Sequence, residues 1–177
     1  MKTNILIAIL ALAALPAAAD EANDAYLRGM EAMKNNDAEG AQKAFAETLR
    51  LRPDHPYARY QLGRLKQEAP MMSARKKEAQ LASVRLPEIN FEEAPLSEAV
   101  AALNAMIETE SGKTLGKENA VIPNLMVQDS TGQLGKKEVT LQLKNIPANT
   151  VLNYVLDQVG GRIRYDEHAT LILPKGD

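Results

Sequence analysis

His55 and His168 are the only histidines in this chain, and cysteine is absent, so few residues could carry covalent or metal chemistry. His55 sits in Pro53-Asp54-His55-Pro56, a run of ordinary turn formers, and is expected as a solvated turn residue. His168 follows Asp166 and Glu167, and two carboxylates beside an imidazole could collect a metal ion. A plain hairpin turn explains the same triplet, so no metal ligand, catalytic residue or cofactor is assigned. Ser111-Gly112-Lys113-Thr114 has the residue types that end a phosphate-binding loop, but the earlier glycine and the preceding strand are missing. A flexible connector after a helix is the expectation there. Glycan hydrolysis would need two carboxyl groups about 5 to 10 Å apart across a cleft, and no spacing here singles out a pair. A carboxylate-based cell-wall hydrolase is therefore the weakest reading, and the chain is read as non-enzymatic.

Charge and aromatics exclude more. The formal net charge is −2, with 21 basic and 23 acidic residues, which gives no general attraction to nucleic acid. Tryptophan is absent and only Tyr and Phe remain, so there is no aromatic platform on which bases or sugars would stack. The run Arg75-Lys76-Lys77, with Arg64 and Lys66 nearby, reads as the solvated face of a helix that could touch acidic lipid or glycan.

The elements that must position any site start after residue 19. Lys2 opens a positive start, Ile5 to Leu15 is apolar, and Pro16-Ala17-Ala18-Ala19 supplies small residues suited to cleavage. The expectation is a signal peptide over 1–19, no lipid-bearing cysteine, no membrane span after cleavage, and a periplasmic or secreted protein. The apolar run is short of the roughly 20 residues a membrane-spanning helix needs.

Residues 20–69 read as helices. Ala25, Gly29 and Ala32 share a stripe, Asn35-Asn36-Asp37 breaks it, and Ala41, Ala44, Phe45, Thr48 and Leu49 resume it before Pro53. Gly29 recurs at Gly63 and Pro53 at Pro87, both 34 residues on. The order Gly29, Ala41, Phe45, Pro53 resembles the tetratricopeptide repeat family, with Arg28 and Ala32 as departures. That resemblance implies a helical hairpin whose small residues admit close approach and whose aromatic fills the groove. Tyr60, Leu62 and Gly63 restart the pattern, and Pro70 is expected to interrupt it, leaving a basic linker helix over 70–86.

From Leu86 the texture turns to alternating strands. Ile89, Phe91, Ala94, Pro95 and Ser97 lie on Leu141, Leu143, Ile146, Pro147 and Asn149 at an offset of 52. Each copy reads as a strand, a proline at a helix start and an amphipathic helix: Leu96, Ala99, Val100, Leu103 and Ile107, then Val151, Leu152, Val155 and Val159. Val121 to Val127 reads as an extra strand, and Ile163 to Tyr165 with Thr170 to Leu173 as a terminal hairpin. The order β-α-β-β-α-β-β, carried by Val139-Thr140-Leu141-Gln142-Leu143-Lys144-Asn145-Ile146-Pro147 and Val151-Leu152-Asn153-Tyr154-Val155-Leu156, resembles the secretin and TonB N-terminus short domain. The resemblance covers 87–177 and implies a periplasmic docking module without catalysis; with no channel or receptor barrel after it, this would be an accessory copy.

The fold class is thus α+β: a tetratricopeptide-like hairpin plus helix, then a small α+β domain. The expected function is an exported adaptor that binds a protein of the bacterial envelope, or further copies of itself, and no nucleic acid. A peptidoglycan- or small-ligand-binding module is the alternative. Docking is expected at strand edges, through Val139, Leu141 and Leu143 and through Thr170 and Ile172, and at Tyr60 in the helical groove.

Overall fold

The computed structural model describes residues 15–166 and 168–176, and shows a mixed α+β chain. The proposed leader lies for the most part outside the described residues; Leu15–Lys34 form the first helix, α1. The chain divides into two compact units at Met72/Ser73.

In the first unit, α1 turns back at Asn36, whose φ of 54° is the left-handed conformation that ends helices. Asp37 N–H reaches the Ala32 carbonyl at 2.8 Å and closes that end. The second helix, α2 (Ala38–Leu51), packs along α1 and buries Ala41, Phe45 and Thr48. A third, α3, runs Pro56–Ser83 without a break. Pro70 therefore does not end the helix as expected. Proline removes one N–H and crowds the carbonyl four residues back. Pro70 and Lys66 are both exposed, so that carbonyl can face water.

The second unit begins with the last turns of α3 and continues with β1 (Arg85–Pro95), α4 (Leu96–Leu115), β2 (Leu125–Val127), β3 (Glu138–Pro147), α5 (Ala148–Val159), β4 (Gly161–Tyr165) and β5 (Thr170–Pro174). This is the β-α-β-β-α-β-β order read from the sequence. β1 and β3 form an antiparallel two-stranded sheet; β2, β5 and β4 form a second sheet in that order. α4 packs on β1 and β2, α5 on β3 and β4, and one core joins helices and sheets.

The duplication is structural as well as textual. α4 buries Leu96, Ala99, Val100, Leu103 and Ile107, and α5 buries Ala148, Val151, Leu152, Val155 and Val159, all 52 residues on. Glu93 and Asn145, also 52 apart, both have φ of 50°. Ile89 pairs with Leu143 and Phe91 with Leu141, so the equivalent residues Asn90 and Gln142 face each other. The two strand-helix copies are therefore related by a local two-fold through that central pair.

Candidate functional site

Of the two strand edges expected to dock a partner, the topology removes one. β5 is the central strand of its sheet, with β2 parallel on one side and β4 antiparallel on the other. Thr170 is 1% exposed and its N–H donates to the Asn124 carbonyl at 3.0 Å; Ile172 is wholly buried. Neither can offer a free edge. The extra strand expected over Val121 to Val127 is present only as Leu125–Val127, and it pairs in parallel with β5, which the sequence did not indicate. Pro123 lacks an N–H, and the Val121 N–H is spent on Ser111 Oγ at 2.8 Å.

Among the described residues β3 does have an open outer side, but its start is closed by a side chain. Gln158 on α5 accepts the Thr140 N–H through Oε1 and donates Nε2 to the Thr140 carbonyl, both at 3.0 Å. A primary amide thus stands where another strand's backbone would. Asn104 on α4 does the same to β2, accepting the Leu125 N–H at 2.8 Å and donating to the Leu125 carbonyl at 3.0 Å. Val139 is buried, and the half-buried Leu141 and Leu143 pack against the core, so their side chains hold the strand in place.

Tyr60 stands where docking needs it. It is 63% exposed on α3, with the Arg64 guanidinium 6.0 Å from the ring centre. Tyr57, one turn earlier, is 66% exposed and Met71 is 59% exposed. Tyr57, Tyr60, Arg64, Gln67 and Met71 recur at helical spacing and make one exposed face. A neighbouring face, about a third of a turn round, buries Ala58, Gln61, Leu65 and Met72. Sequence reasoning missed Tyr57; its position three residues before Tyr60, out of phase with the buried stripe, was the available signal.

The glycines of the repeat behave differently at their two occurrences. A Cβ on Gly29 would lie 2.5 Å from the Phe45 ring, so only hydrogen fits there. A Cβ on Gly63 would meet nothing within 4 Å. The socket that Phe45 fills on α1 is unfilled on α3.

The remaining chemical candidates resolve into structural roles. His55 is buried, not solvated: 3% exposed, its Nδ1 accepts the Ala58 N–H at 3.1 Å, and its ring lies 4.9 Å from that of Tyr26. It caps α3. Burial, then the nearby Arg52 charge, lowers its pKa below the ordinary histidine value. His168 is exposed, and its carbonyl accepts from Asn124 Nδ2 at 2.5 Å; Glu167 lies outside the described residues. Among the described residues no group of three or more His, Asp or Glu is placed to hold a metal. Ser111 to Thr114 is the last part of α4 rather than a connector. Lys77 is half-buried, with Nζ donating to the Asp166 and Ala169 carbonyls, so the basic run is not wholly a solvated face. An open cleft of about 350 Å³ beside it is lined by Lys77, Leu81, Ile122, Asn124, His168 and Thr170.

The loop before β3 is built around Asp129. Its carboxylate accepts the N–H groups of Thr131 and Leu134 at 2.9 and 2.7 Å. Those bonds, led by that from Leu134, hold its pKa down to about 2. No helix among the described residues is long and apolar enough to cross a membrane. No family model, curated protein or solved structure matches this chain.

Proposed function

We propose that this chain is an exported, non-enzymatic adaptor that docks a protein partner of the cell envelope on the exposed face of α3. The observation that carries the reading is that α3 is apolar on two sides and covered on one. Tyr57 has ring neighbours in Tyr26 and His55, at 6.5 and 6.2 Å, but an exposed Tyr60 and Met71 on the same face gain little from water alone. Such residues, with arginine, are what protein interfaces concentrate. Gly63 adds to this: glycine inside an exposed helix costs about 1 kcal/mol relative to alanine, with no packing return in the free chain. At Gly29 the return is the ring of Phe45, and an aromatic-bearing partner helix would supply the same at Gly63.

The tetratricopeptide-like reading of the first unit is supported by the fit of Phe45 against Gly29. The likeness of the second unit to the secretin and TonB N-terminus short domain is supported by two helices packed with a two-stranded and a three-stranded sheet. Both point to docking, and the leader read in residues 1–19 points to the envelope.

The test is capture of a partner from envelope extracts of the producing cell. Tyr60→Ala should lower capture about tenfold at an unchanged melting temperature, and Tyr57→Ala added to it should lower capture further while the protein still melts cooperatively, as expected for central aromatic contacts. Gly63→Ala should raise stability by about 1 kcal/mol. Capture that survives the double substitution on a folded protein would overturn the reading.

A further inference from the structure

The local two-fold of the second unit leaves one strand edge unlike its mate. Thr140 spends both backbone groups on Gln158, so they point away from β1. Backbone groups alternate sides along a strand, so Leu141 and Leu143 face β1 and their partners Phe91 and Ile89 face β3. The N–H and C=O groups of Asn90, between Ile89 and Phe91, then point outward, to the side where β1 has no strand neighbour among the described residues; the alternation breaks at Pro87 and Glu88, both exposed. On β3 that side is blunted by Gln158. On β1 the residue equivalent to Thr140 is Glu88, and the residue of α4 equivalent to Gln158 is Met106. A thioether offers no N–H and only a weak acceptor, so the pairing that closes β3 cannot form at β1.

Charge separates the two edges further. β1 carries Glu88, Glu92 and Glu93, all exposed, where β3 carries Thr140, Lys144 and Asn145. Glu88 shares its charge with Lys144 across the sheet at 3.2 Å, with more than half of each side chain exposed. Glu92 receives a hydrogen bond from Asn90 Nδ2 at 3.3 Å.

We infer that the outer edge of β1 is a second docking site, and that its occupant is an extended peptide strand with lysine or arginine at alternate positions. Backbone pairing centred on Asn90 would supply the affinity, and the three glutamates would select basic side chains over acidic ones. The site is separate from the exposed face of α3, so either proposal can fail without the other.

The probe is a short synthetic peptide alternating Lys with Val, titrated against the full chain by fluorescence anisotropy, with a Glu-for-Lys peptide beside it. The parent protein should bind the basic peptide and bind the acidic one about tenfold more weakly or less. Met106→Gln, which places an amide where Gln158 sits on the other copy, should weaken basic-peptide binding about tenfold. Asn90→Pro, which removes one outward N–H, should do the same if the protein still melts cooperatively. The pair Glu88→Lys and Glu92→Lys changes only surface charge and should reverse the preference between peptides, so it decides the matter if the backbone variants fold poorly. Equal binding of the two peptides, no binding to the parent, or a preference untouched by the charge reversal would each overturn the proposal.

Discussion

Phe45 and Gly29 show most directly how residue type becomes architecture here. The ring is wholly buried, stands 5.8 Å from the ring of Tyr26, and occupies the space a Cβ at Gly29 would need. This pairing was legible in the sequence through the resemblance to the tetratricopeptide repeat, which implies an aromatic at Phe45 filling the groove beside small residues. Phe45→Ala should cost about 3–5 kcal/mol by leaving a cavity. Gly29→Ala should cost about 1–3 kcal/mol by overpacking, although alanine is the better helix former. Urea unfolding measures both, and a neutral Gly29→Ala would show that the ring is not held against α1. His55 was not legible in the same way. Its turn sequence was read correctly, but the ring that covers it belongs to Tyr26, far back in the chain, and no local pattern announces that contact.

At the level of elements, local periodicity was a good guide wherever an element builds its own apolar face. α4 and α5 follow it at five matched positions, and their duplication appears in both sequence and register. It failed where a short element borrows its place from distant ones. β2 is three residues long, yet it converts β5 from an expected edge into a central strand. Pro70 misled for a different reason: a helix crosses a proline when the freed carbonyl can reach solvent. The caps of these elements carry a pH dependence. His55 holds the start of α3 only as neutral imidazole, because a protonated Nδ1 cannot accept the Ala58 N–H. Its pKa is lowered in the folded chain, so below the ordinary value near 6.5 the unfolded chain binds more protons. The contribution is complete above that pH and declines as pH falls beneath it. His55→Asn keeps an oxygen acceptor at the cap and should flatten the part of the melting-temperature profile between pH 7.5 and 5 that this group causes. Parallel profiles for the two proteins would mean that His55 does not cap α3 in solution.

For the whole molecule, the two units offer different recognition chemistry. The first presents aromatic and apolar side chains on a helix whose repeat-mate socket is unfilled. The second presents backbone on a strand edge, while an amide side chain covers one residue of β3, Thr140, and one of β2, Leu125. Neither surface stands out in the sequence as a motif, because exposure separates Tyr57 and Tyr60 from ordinary helix residues, and exposure depends on which face α3 buries. The central claim is that the exposed face of α3 is covered by a partner in the cell. The direct measurement is photo-crosslinking in the producing cell, with a photoreactive side chain replacing Tyr60, Arg64 or Gln67, and replacing the exposed Lys43 on α2 as the control. The account predicts one discrete protein adduct shared by the three α3 positions and absent from the α2 position. Adducts of equal yield from both helices, or none from α3, would contradict it.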